Sequence, residues 1–133
     1  MDTSKKDVNT KIATVLVVED CGMNQMLLEI MLHRLNHKVL FAYDGQEAMK
    51  VLQDTPVDLV LSDIMMPQMD GFELLDNIHA KMGRNHVPVV LMSAGGKVSL
   101  SNEAINRGAD GFLSHPFSSI ELQQMLNQFT NSH

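Results

Sequence analysis

Glu19 and Asp20 stand side by side at the end of one apolar run, and Asp63 stands at the end of another. Carboxylates so placed suggest two kinds of chemistry. Together they can hold Mg²⁺, which takes hard oxygen ligands, keeps several waters and completes its shell with phosphate oxygens. One of them can also attack phosphorus and form an aspartyl phosphate. Such a transfer rests on positioning and on neutralising the equatorial oxygens, so it calls for a metal, a hydroxyl or amide donor, and a cation. Ser93 follows a further apolar run and offers a hydroxyl; His115 lies two residues past another and offers the cation. Singly, each acid fits a helix N-cap or a solvated loop equally well. Three gathered in one crevice would raise one another's pKa and oppose folding, and a divalent cation removes that problem.

The elements that must gather them are legible as alternating patterns. Apolar runs cover Thr14 to Val18, Lys38 to Ala42, Leu59 to Ser62, Val89 to Met92 and Gly111 to Leu113. The first, third and fourth are almost wholly apolar, as expected of strands covered on both faces. Helical spacing fills the gaps. Met23, Met26, Leu27, Ile30, Met31 and Leu35 fit one helical face. Asp44 and Glu47 form an acidic capping box ahead of Ala48, Met49 and Leu52. Gly71 to Met82 reads as a helix stopped by Gly83, and Ser99 to Arg107 as one stopped by Gly108. Ser118 and Glu121 form a capping box that opens the last helix toward Phe129.

Strands alternating with helices imply parallel pairing and right-handed crossovers. The expected fold class is therefore α/β, a single doubly wound five-stranded parallel sheet in the order 2-1-3-4-5 with helices on both faces. That order makes the first and third strands neighbours and puts the switch point between them, where ligands bind at the carboxyl ends. Glu19, Asp20 and Asp63 all fall there.

Composition removes several classes. With 133 residues the chain suits one domain. A net charge of −6 and no basic run set nucleic-acid binding by this chain aside. No apolar stretch reaches membrane-spanning length, about 20 residues, so no membrane contact is expected. The single cysteine, Cys21, excludes an internal disulfide and suits a reducing, cytoplasmic setting; it reads as a small packing residue. The eleven methionines read mainly as core filler, with a Met-rich binding face as the alternative. His33, His37, His79, His86 and His133 have no metal spacing and read as solvated surface residues. No Gly-rich turn follows the first strand, against a nucleotide-binding enzyme, and Met65 stands where an aspartate-nucleophile phosphatase would carry a second acid.

The chain resembles the response-regulator receiver domain of two-component and phosphorelay signalling from about Ala13 to Phe129. The matching pieces are VVED (Val17 to Asp20), SDIMMPQMDGFELL (Ser62 to Leu75), LMSA (Leu91 to Ala94), RGADGFL (Arg107 to Leu113) and HPF (His115 to Phe117). The resemblance implies that Asp63 is the phosphoacceptor. It implies that Mg²⁺ is bound by Glu19, Asp20, Asp63 and the backbone carbonyl of Met65. Ser93 would contact the phosphoryl group, Phe112 would change rotamer with it, and Pro116 would follow a cis peptide bond. Pro67 and Gly71 also read as loop punctuation and an N-cap, and Met65 and Gly95 as flanks of the water path to Asp63.

One departure stands out. The family pattern has lysine before that proline, and this chain has His115. Imidazole is shorter than a lysine stem and only partly charged near neutrality. Three readings stay open: His115 replaces lysine, it weakens the coupling between phosphorylation and shape change, or the site is degenerate.

The resemblance implies a phosphoprotein in signal transduction rather than an enzyme in the usual sense: a domain that assists its own phosphorylation and dephosphorylation. The implied donor is a histidine kinase or a histidine phosphotransfer protein, with the downstream target unassigned. The alternative is a pseudo-receiver, a docking module independent of phosphorylation. The expected organisation is a lead or linker over 1–12, the receiver over 13–130 and a tail over 131–133. No output domain is expected in this chain, and the segment from Val17 to Met49 looks more like receivers attached to hybrid histidine kinases than like those of simple transcription factors, in which case the parent would be a kinase.

Overall fold

A computed structural model describes residues 12–66, 68–83, 87–94 and 98–130, with the backbone alone at 98, 99 and 130. The expectations for the lead before Ile12, for Pro67, His86, Gly95 and His133 and for the tail lie outside the described residues. The elements alternate as β1 (Thr14–Val18), α1 (Gly22–Arg34), β2 (Lys38–Ala42), α2 (Gly45–Asp54), β3 (Leu59–Asp63), α3 (Gly71–Met82), β4 (Val89–Ala94), α4 (Val98–Asn106), β5 (Gly111–His115) and α5 (Ser119–Thr130). The strands form one parallel sheet in the order β2-β1-β3-β4-β5.

Each face of the sheet builds its own core. On one, Leu16, Val18, Val60 and Leu91 pack with Ala48, Leu74, Leu75, Ile78 and Ala104, which come from α2, α3 and α4. On the other, Val15, Val17, Leu59, Leu61, Val90 and Met92 pack with Leu28, Leu32, Leu122 and Leu126 of α1 and α5. This explains the unbroken apolar runs: alternate side chains of β1, β3 and β4 enter opposite cores. Burying such aliphatic side chains contributes about 1.5–3 kcal/mol each. The outer strand β2 buries only Ala42.

The strands run further than the apolar runs. Asp63 pairs with Met92, Ser93 with Ser114 and Ala94 with His115. Asp63, Ser93 and His115 are thus held by the ladder itself rather than by the loops beyond it.

Four expectations change, two of them only in part. In α1 the buried residues are Leu28 and Leu32; of the expected face Met31 and Leu35 do pack against the core, whereas Met23, Met26, Leu27 and Ile30 are 81%, 62%, 54% and 45% exposed, because apolar residues ring this helix and the buried stripe is turned from the one expected. His37 is buried, with Nδ1 accepting from the Ala13 N–H at 3.0 Å, and burial lowers its pKa. Cys21 is exposed at the N-cap of α1 and packs no core. The methionines divide: Met92 is fully buried and Met31, Met49, Met66, Met69 and Met125 pack against the two cores as expected, while Met23, Met26, Met65 and Met82 are exposed.

The caps largely match. Ser118 Oγ accepts from the Glu121 N–H, and Glu121 returns the bond to the Ser118 N–H. Asp44 accepts from the Glu47 N–H, but Glu47 reaches the Tyr43 N–H rather than that of Asp44. Asp70 and Glu73 form a further reciprocal box at the start of α3. Gly83 and Gly108 take φ of +66° and +97°, which ends their helices in a conformation other residues adopt with strain.

Candidate functional site

The carboxyl ends of β1 and β3 lie next to each other, since Val18 pairs with Ser62. Glu19, Asp20 and Asp63 follow or end these strands, and a ligand oxygen from each lies within 4.8 Å of the others. Glu19 is almost wholly buried at 1% exposure, Asp63 is half-buried and Asp20 is exposed. Glu19 Oε2 accepts from the Cys21 N–H at 3.1 Å, while Oε1 is buried with no hydrogen-bond partner among the described residues.

Electrostatics follow from that packing. Burial pushes the Glu19 carboxyl from 4.5 to about 7; the Cys21 N–H opposes the shift and the charge of Asp63 adds to it. Burial also raises Asp63, against the Met65 N–H and the nearby His115. An orphaned buried carboxylate oxygen, two more carboxylates in reach and no sulfur or nitrogen in the set are what a hard divalent cation requires. Glu19, Asp20 and Asp63 therefore fit Mg²⁺.

The segment after β3 is shaped to hold Asp63 in place. The Met65 N–H donates to Asp63 Oδ1 at 3.3 Å, and the Met65 side chain is 72% exposed. The Gly71 N–H donates to the Ile64 carbonyl at 2.8 Å. A Cβ on Gly71 would lie 2.5 Å from the Asp63 carbonyl oxygen and 2.8 Å from Ile64 Cα, so this close approach demands glycine.

Ser93 is buried beside the cleft, and its hydroxyl donates to the Ala94 carbonyl at 3.3 Å. His115 lines the same cleft, its ring 4.8 Å from that of Phe117, and its Nε2 is buried without a partner among the described residues. The His115–Pro116 peptide is cis. Phe112 is half-buried against the core on the α2–α4 side. The cleft, about 770 Å³, runs from Asp63, Ser93 and His115 to an apolar wall that includes Leu27, Met31, Leu100 and Phe117.

Some contributors were not visible in the sequence. The Gln25 side chain donates to the Glu19 carbonyl at 2.6 Å, and Asn24 lines the cleft. Their place on the first turn after the acid pair was the available signal. Phe117 supports His115 in space, which HPF as a string does not reveal.

A family model described as the response regulator receiver domain matches residues 15–127. The chain is 35% identical over 108 residues to Response regulator GtcR of Aneurinibacillus migulanus, covering 81% of this chain and 43% of that protein. It is 36% identical over 112 residues to Sensor histidine kinase RcsC of Salmonella typhi, covering 84% of this chain and 12% of that one. It thus spans less than half of either relative. Among solved structures it is similar to the receiver domain of a sensor histidine kinase from Pseudomonas aeruginosa, described with a magnesium ion coordinated in its active site cleft. The TM-score is 0.81 at 30% identity, over 91% of this chain and 99% of that one. It is also similar to the chemotaxis response regulator CheY4 of Vibrio cholerae, with TM-score 0.79, 27% identity and coverage of 89% and 98%. No described helix is long and apolar enough to cross a membrane.

Proposed function

The chain belongs to the response regulator receiver domain family of two-component signalling, and on that premise we propose that Asp63 accepts a phosphoryl group from a phosphohistidine donor. The observation that carries this reading is the meeting of Glu19, Asp20 and Asp63 at the switch point, with one buried oxygen of Glu19 left unsatisfied. Glu19, Asp20, Asp63 and the Met65 carbonyl would hold Mg²⁺, which supplies neutralisation of the phosphoryl oxygens. An Asp63 oxygen attacks phosphorus as the donor's N–P bond breaks, and the departing imidazole keeps the electron pair. The Met65 N–H and Ser93 hydroxyl stand beside the acceptor as donors to the new phosphoryl oxygens. The Ser93 bond to Ala94 is long and costs little to exchange. Phe112, on the strand paired with β4, follows Ser93, and the added charge shifts an equilibrium between two shapes.

The donor is a histidine kinase or a histidine phosphotransfer protein. Leu27 of α1 lines the cleft that leads to Asp63, and with the exposed Met23, Met26 and Ile30 of the same helix it gives such a protein an apolar landing surface.

The test is intact mass after incubation with Mg²⁺ and acetyl phosphate. We expect one phosphoryl group to be gained, and none in Asp63→Asn or without Mg²⁺. Failure to gain mass from both acetyl phosphate and a phosphorylated histidine phosphotransfer protein would favour the second reading, a docking module, for which His115 is the supporting observation. In the switch reading His115 loosens the coupling of phosphorylation to shape, so His115→Lys should enlarge the conformational response to a phosphoryl mimic. An unchanged response would remove that role.

A further inference from the structure

We propose that the groove between α2 and α3 docks an acidic peptide segment carrying apolar anchor side chains. The groove lies on the helix layer opposite α1, away from the Leu27–Phe117 wall of the cleft. Two adjoining cavities of about 390 and 330 Å³ share Met49, Gln53 and Lys81. Their floor is apolar: Met49, Leu52, Met69 and Met82. Methionine re-packs around varied side chains, which suits peptide capture.

The rim decides the partner. It carries the amides Gln46, Gln53 and Asn77 and the ammonium groups of Lys50 and Lys81, and no carboxylate among the described residues lines either cavity. This stands out on a chain of net charge −6. Neither lysine joins an ion pair among the described residues. Of the acids next to the rim in the chain, Glu47 accepts from the Tyr43 N–H and Asp76 pairs with Arg107, while Asp54, one turn beyond Lys50, lines neither cavity. Charge complementarity therefore selects an anionic partner. Each cavity lies at the low end of the range of a small-molecule site, about 300 to 1,000 Å³, and because the two adjoin through Met49, Gln53 and Lys81 they offer successive side chains of one peptide a seat apiece. The rim amides supply both donors and acceptors for a peptide backbone.

The test is NMR of the full chain labelled at the methionine methyls, titrated with a short peptide of leucines flanked by glutamates. The same peptide with lysines for glutamates, and laurate, serve as comparisons. We expect the Met49, Met69 and Met82 methyls to shift with the acidic peptide only, while Met23, Met26 and Met65 stay still. The double variant Lys50→Glu, Lys81→Glu changes exposed groups and should keep its other methyl signals while binding about tenfold or more weakly. Absence of shifts at millimolar peptide, equal shifts with the basic peptide, or a response to laurate alone overturns the proposal. Groove shifts that depend on protein concentration without peptide would assign the surface to self-association and overturn it as well.

Discussion

At the edge where the strands begin, aspartates close the ladder. Asp58 Oδ2 accepts from the Thr14 N–H at 2.8 Å while the Asp58 N–H donates to the Thr14 carbonyl at 2.9 Å. Asp110 repeats the clamp on Val89, both bonds at 2.8 Å. His37 caps the Ala13 N–H. At the edge where β1 and β3 end, the same chemical group is left in want: Glu19 Oε1 has no partner among the described residues, and three carboxylates face one another within 4.8 Å. A carboxylate given N–H donors stabilises the fold, and one given other carboxylates stores a demand for cations. The difference separates acids that hold the sheet from acids whose charge the fold leaves unbalanced.

The harshest way to break the comparison is to deform the ligand edge through its backbone. Gly71→Ala forces a Cβ onto the Asp63 carbonyl and Ile64 Cα, neither of which can swing away. The expected loss is about 3 kcal/mol in denaturant unfolding, and phosphorylation of Asp63 should slow with it. A wild-type midpoint would show that the β3–α3 segment adapts.

Next in size is the strand-starting edge. Asp110→Ala removes the acceptor for the buried Val89 N–H, and a loss of about 1–2 kcal/mol is expected, with no effect of Mg²⁺ on the difference. Asp63→Asn, at the opposite edge, should do the reverse. Without metal it relieves repulsion and raises stability by about 1 kcal/mol or less, since Asp20 is exposed and water screens it. It should also abolish the stabilisation by Mg²⁺. An Asp63→Asn protein that is less stable than wild type without metal would place Asp63 among the structural acids.

How the sequence conveys the two edges differs for a physical reason. Hydropathy reports side chains, whereas a ladder is built from backbone groups. The apolar runs therefore located every strand but stopped at Ser62, Met92 and Leu113, short of the paired Asp63, Ser93 and His115. The sheet order and the meeting of Glu19 with Asp63 followed from alternation together with the common order of a five-stranded doubly wound sheet. The buried face of α1 did not, because apolar residues surround that helix and periodicity cannot choose between Leu28 with Leu32 and Met23 with Ile30. Nor could spacing reveal that His37, in an edge strand's approach, would be enclosed and tied to Ala13. Asn24, Gln25 and Phe117 reach the site through turns of chain whose packing is set in three dimensions.

A further effect is expected in pH, and it separates the edges without mutation. Burial raises Glu19 from 4.5 to about 7, and raises Asp63 as well. Between those values the folded chain holds a proton on Glu19 that the unfolded chain has already released. The unfolded state then binds fewer protons, so stability falls as pH rises through this window and levels off above about 7. Mg²⁺ competes with that proton, so its stabilising effect should be weak at the acid end of the window and grow toward the alkaline end. Thermal midpoints across the window, with and without Mg²⁺, measure both trends. A decline with pH that Mg²⁺ abolishes belongs to the ligand edge. A decline that Mg²⁺ leaves untouched would lie elsewhere in the molecule, and the unsatisfied oxygen of Glu19 would lose its meaning as a cation's place.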